Sequence, residues 1–131
     1  QVATLNTAQV NALTTSQIQA IATDDVKALT TSAVAAMTTT QIQALSTGSV
    51  NALTTSQVTS LTTTQVSSLT TGEVSALNTA QVKIMTTSQV QALTVDQLTT
   101  LSNTQVSALT TTQVGALTST QLYGLVTAAR N

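Results

Sequence analysis

The chain has 131 residues, a formal net charge of -1, 5% charged and 41% hydrophobic residues, and no Cys, His, Trp, Phe or Pro. These numbers exclude a Cys/His metal site, a disulfide framework and the basic footprint of a nucleic-acid binder. Polar residues interrupt the apolar ones throughout, so no run approaches the ~18 needed to span a bilayer, while hydrophobic content so regularly placed argues for a packed core rather than disorder.

In chain order, the first signal is Val2 followed by Leu5, then Val10 and Leu13, Ile18 and Ile21, Val26 and Leu29. Both series continue every eighth residue, to Leu122 and Leu125, giving 16 apolar pairs without an insertion. Counting from the leucine as position one, the octad reads Leu-Thr-Thr-x-Gln-Val-x-Ala. A fixed short period is the mark of a repeat architecture. Gln1 stands at position five, so the chain opens in mid-repeat and reads as a segment of something longer.

Position two departs from Thr mainly to Asn or Ser, as at Asn6, Ser46, Asn78 and Ser102. That is the alphabet of a helix N-cap, whose side-chain oxygen accepts a hydrogen bond from an unpaired backbone N–H. Position five is Gln in 12 of 16 octads and becomes Asp at Asp25 and Glu at Glu73. Thr-x-x-Gln is a capping box, and the flanking Leu and Val supply a hydrophobic staple. Each octad therefore predicts a helix of one to one and a half turns, ending where the next cap begins. Residues three apart are neighbours on a helix. Variable positions four and seven then form a solvent face, and positions three, six and one a core face. Position eight is small almost everywhere, Ile84 being the exception, and permits close approach of a neighbouring segment.

Helices this short are far below the roughly 12–15 residues at which isolated helices become marginal. They require stacking, so the expected fold is all-α: a solenoid of very short helices, one per 8-residue repeat, with three or four octads per superhelical turn. A β-solenoid is the alternative, since Thr and Val favour strands. Strand alternation would point positions one and six to opposite faces, and almost no Gly and no Pro exist to build the turn that would repair this.

The acidic residues Asp24, Asp25, Glu73 and Asp96 fall at positions four and five, in the first helical turn, where the helix dipole favours them. Lys27 and Lys83 fall at position seven, toward the other end. No residue set resembles a catalytic site, a cofactor site or a metal site: no base accompanies the abundant Ser and Thr. An enzyme is not expected. Tyr123, the one aromatic, is expected to cover the end of the core, with a binding anchor as the alternative. After Leu125 the pattern fails, with Val126 at the cap position and Arg130 at the valine position. Residues 1–125 therefore read as the octapeptide-repeat solenoid and 126–131 as its end or the start of a following segment. Regular Thr pairs suggest ordering of surface water, as in ice binding, but positions two and three are expected to spend their hydroxyls on capping and the core side.

The octads LTTSQV (53–58), LTTTQV (61–66) and LNTAQV (5–10) resemble the Thr/Gln-rich octapeptide repeat tracts of large secreted bacterial surface proteins and adhesins. The likeness covers essentially the whole chain. It implies an extracellular or cell-surface location and a structural role as filament, matrix component or adhesin stalk. The calcium-binding Gly- and Asp-rich nonapeptides common in secreted adhesins are missing. A polar-surface module binding carbohydrate or protein through positions four and seven is the alternative function, and ice binding a further one. Expected partners are the chain itself or adjoining repeats, by end-to-end stacking, because a solenoid exposes its core at uncapped ends. No nucleic acid, membrane span or small-molecule substrate is expected.

Overall fold

The computed structural model describes residues 4–130. Within them every octad from Leu5 to Leu117 contributes one helix, and no strand occurs. The helices form three stacks. The first holds α1 (Thr7–Asn11), α4 (Thr31–Ala36), α7 (Thr55–Ser60), α10 (Thr79–Ile84) and α13 (Asn103–Ala108). The second holds α2 (Thr15–Gln19), α5 (Thr39–Ala44), α8 (Thr63–Ser68), α11 (Thr87–Ala92) and α14 (Thr111–Gly115). The third holds α3 (Thr23–Ala28), α6 (Thr47–Ala52), α9 (Thr71–Ala76), α12 (Val95–Thr99) and α15 (Ser119–Ala129). Each helix packs on the one three places later in the chain. Three octads thus complete one coil, and the all-α solenoid is the fold.

The octad divides into a helix over positions three to eight and two extended residues at positions one and two. Leu61, for example, has φ -61° and ψ 136°, and Thr62 has φ -76° and ψ 161°. No described residue has positive φ. The corner is built from ordinary extended backbone, which is why fourteen corners join the fifteen helices with so little glycine. Thr62 Oγ1 accepts the Gln65 N–H at 3.1 Å, and Gln65 Oε1 accepts the Thr62 N–H at 2.9 Å. The same reciprocal box closes at every helix except α3, α4 and α6. At those three, position five is Asp25, Ala33 or Ser49.

The core is a column of position-six valines and position-one leucines. Val50, Val66, Val74 and Val90 are fully buried, and Leu53, Leu61, Leu69 and Leu77 nearly so. Full burial of such side chains stabilises by roughly 1.5–3 kcal/mol each, and this shared burial is what short helices lack alone. Leu5, Leu13 and Ile21 in the first coil are only partly buried.

Two expectations about faces are corrected. Position three is exposed throughout, as at Thr39, Thr63 and Thr87, not turned to the core. The leucine at position one is extended, so it does not continue the helical face that joins positions three and six. Tyr123 is 77% exposed and covers no core. The end is instead covered by α15, which runs on past Leu125 because Val126 offers no side-chain cap to stop it. Its last turn buries Ala128, and the helix packs on both α12 and α13.

Candidate functional site

Every buried polar residue named in the core stands at position five. Gln41, Gln57, Gln65, Gln81, Gln89, Gln97, Gln105, Gln113 and Gln121 are all buried, together with Ser49 and Glu73. Polar groups in an apolar interior require hydrogen-bond partners, and the capping box uses only the amide oxygen. The amide nitrogen supplies the rest. Gln65 Nε2 donates to the carbonyls of Val34 at 2.9 Å, Ala35 at 3.2 Å and Met37 at 2.8 Å. Gln81 Nε2 reaches Val50, Asn51 and Leu53 in the same register, at 2.8, 3.0 and 2.9 Å. Gln97, Gln105 and Gln113 repeat it.

A six-residue helix leaves most of its carbonyls without intrahelical partners. Here the glutamine of one coil satisfies them at the helix end and corner of the coil before. Position seven adds a second set of links running the other way. Gln43 Nε2 donates to Ser68 O at 2.9 Å, Asn51 Nδ2 to Ala76 O at 2.9 Å and Gln91 Nε2 to Ala116 O at 2.9 Å. One glutamine side chain therefore starts its own helix and finishes another some 30 residues earlier. The capping role is legible in the octad; the second role was missed, because nothing local records where the amide nitrogen goes.

The charged residues converge nowhere. Asp24, Asp25, Lys27, Lys83 and Asp96 are exposed, and no group of three or more His, Cys, Asp or Glu among the described residues is placed to hold a metal ion. Glu73 lies in the first turn of its helix as expected, but it is 1% exposed. Burial pushes its carboxyl above the usual carboxylate range, and its hydrogen bonds with Thr70 oppose that rise. No described helix is long and apolar enough to cross a membrane.

Two surface features remain. A groove of about 560 Å³ is lined by Thr23, Lys27, Gly48, Asn51, Thr55 and Asn78 among others. Along the second stack, positions two to four present Thr14-Thr15-Ser16, Thr38-Thr39-Thr40, Thr62-Thr63-Thr64, Thr86-Thr87-Ser88 and Thr110-Thr111-Thr112. All of these are exposed, one triplet per coil, with no charge among them. The position-two hydroxyls accept the capping N–H groups. Those at positions three and four face outward, so the expectation that the Thr pairs are consumed internally holds only for position two.

Uniform coils, a continuous core and coil-to-coil side-chain links define a helical repeat solenoid. The chain belongs to the ALTTAQ repeat family, which matches it over residues 18–55, 34–71 and 71–103. No curated protein and no solved structure matches it.

Proposed function

We propose that this repeat-containing structural protein serves as a stiff spacer or filament segment outside the cell, in a stalk or matrix, and not as an enzyme. The observation that carries the reading is the glutamine ladder. It ties each coil to the one before with the same bonds, so the array is stiffened by repetition and no coil is singled out for chemistry. Neighbouring helices pack about 8–10 Å apart, so five coils would span about 40–50 Å. The extracellular placement rests on the resemblance of the octads to the repeat tracts of secreted surface proteins.

The ladder also supports end-to-end association. In the first coil Gln9 and Gln17 accept the N–H groups of Asn6 and Thr14 through Oε1 and are exposed. Among the described residues their Nε2 groups meet no backbone carbonyl, unlike those of the later glutamines. Among the described residues the carbonyls of Val106, Leu109, Val114 and Leu117 receive no glutamine amide, so acceptors of the kind the ladder uses stand at the other end. α15 packs on both α12 and α13, leaving α14 the more accessible helix of the last coil. Light scattering and electron microscopy at rising concentration test the association. Linear oligomers, diminished by Gln9→Ala with Gln17→Ala, are expected; a strictly monomeric particle across the range would overturn the stacking arm.

A second reading is favoured by the threonine triplets of the second stack. An uncharged strip of hydroxyls repeating once per coil suits a polar partner such as a carbohydrate, or an ordered water layer as in ice binding. Lysine placed at Thr39, Thr63 and Thr87 would abolish such binding while leaving the fold and the stacking intact.

A further inference from the structure

Nine glutamines place Nε2 within 2.7–3.3 Å of backbone carbonyls in the preceding coil. Eight of the nine share one register, reaching the carbonyls 31 and 28 residues earlier. Glu73 occupies this position in α9. Its Oε1 accepts the Thr70 N–H at 3.0 Å, and its own N–H donates to Thr70 Oγ1 at 3.1 Å, so the carboxyl is oriented as the glutamine amides are. In the register of the glutamines, Oε2 takes the place of their N–H donor, the place that faces the carbonyls 31 and 28 residues earlier, here those of Ile42 and Leu45. It is the one buried side-chain oxygen or nitrogen among the described residues with no hydrogen-bond partner.

A carboxylate cannot fill that place. Ionised, it only accepts, and its charge would be set against carbonyl oxygens in an apolar column. No cation offsets it: α5, α6 and α8 carry no charged side chain, and among the described residues the other elements beside α9 bring only exposed Asp96 on α12 and exposed Lys83 on α10. A protonated carboxyl has one O–H donor and an acceptor oxygen besides, which is what the rung demands.

We infer that Glu73 is carried in the folded solenoid as the neutral acid, its Oε2–H donating to the Ile42 or Leu45 carbonyl, and that this rung is a pH-sensitive joint between the coils. Losing the proton turns the donor into a repelling acceptor and loosens the contact of α9 with the α5–α6 corner. The direction of the linkage follows from the raised affinity for the proton. The folded state holds the proton more tightly than the unfolded one, so the stabilisation is complete below the unfolded value and is lost as pH rises through the folded value.

Two measurements on the full chain test this. The first is a carbon-13 NMR titration of the Glu73 carboxyl in the unsubstituted protein. Its resonance should remain in the protonated position through the ordinary carboxylate range and move only above it. Titration within the ordinary range would overturn the proposal without any variant having to fold. The second compares urea unfolding of the parent and Glu73→Gln across pH. The parent midpoint should fall as pH rises while that of Glu73→Gln should not, so the variant's advantage grows with pH. A pH-independent difference, or a variant less stable than its parent at high pH, would also overturn it.

Discussion

Replacing Gln65 by Ala removes one rung of the ladder and should cost far more than its single local capping bond. The substitution strips the acceptor that holds the Thr62 N–H at 2.9 Å and the donor that reaches Val34, Ala35 and Met37. Loss of a cap interaction costs about 1 kcal/mol. Thr62 is exposed, so water recovers part of that term. The carbonyls are the larger matter, because Val34 and Met37 are buried. The Val34 carbonyl keeps the Met37 N–H at 3.2 Å. The Met37 carbonyl keeps nothing, and a buried polar group left unpaired costs about 1–3 kcal/mol. With the void left by the side chain added, the expected loss is about 3–5 kcal/mol. Thr64→Ala, one residue away but exposed, should stay within about 0.5 kcal/mol of the parent. Urea unfolding followed by far-ultraviolet circular dichroism gives the comparison. Because repeat arrays can open in sections, amide hydrogen exchange in α4 and α8 should be measured alongside. If Gln65→Ala unfolds with Thr64→Ala, the ladder contributes no more than an ordinary surface contact and the reasoning fails.

Val66→Asp should open the solenoid around α8, since an unpaired charge in an apolar core is severely disfavoured, whereas Thr64→Asp should be nearly silent; equal exchange protection in the two variants would contradict the assignment of inside and outside. Gly115→Ala should raise stability by about 0.5–1 kcal/mol, because a Cβ there meets nothing within 4 Å and alanine is the better helix residue. Gly124→Ala should gain less or lose, as its Cβ would lie 3.2 Å from Val95 Cγ1 where α15 crosses α12. Thermal unfolding of the pair checks this, and an equal gain at both sites would show that α15 is not seated closely on α12.

Positions one, two and six were legible because their signals are local. Thr62 caps the helix three residues before Gln65, and the Leu61–Val66 staple brackets that same turn, all within one octad. The coil number was not legible, since three and four octads per turn satisfy the same local rules; the choice is made by bonds such as Gln65 to Val34, 31 residues apart. The burial of Gln65 was hidden for a related reason: the capping box already explained a glutamine there, so nothing asked for its second hydrogen-bonding end. Position three was misjudged because helix spacing was carried through Leu61, which is extended at ψ 136°. The octad pattern explains Glu73 as a first-turn carboxylate favoured by the helix dipole, and the burial of its second oxygen is not legible there, because it differs from Gln65 by one atom type that only the preceding coil makes matter.

The central claim is that three octads make one coil and that position-five glutamines bridge successive coils. Nuclear Overhauser contacts from the side-chain amide protons of Gln65, Gln81 and Gln97 test it most directly. The account predicts contacts to residues 28–31 places earlier, at Met37 and Val34, Leu53 and Val50, and Leu69 and Val66 respectively. Contacts confined to the glutamine's own octad, or displaced by one whole octad in either direction, would contradict it.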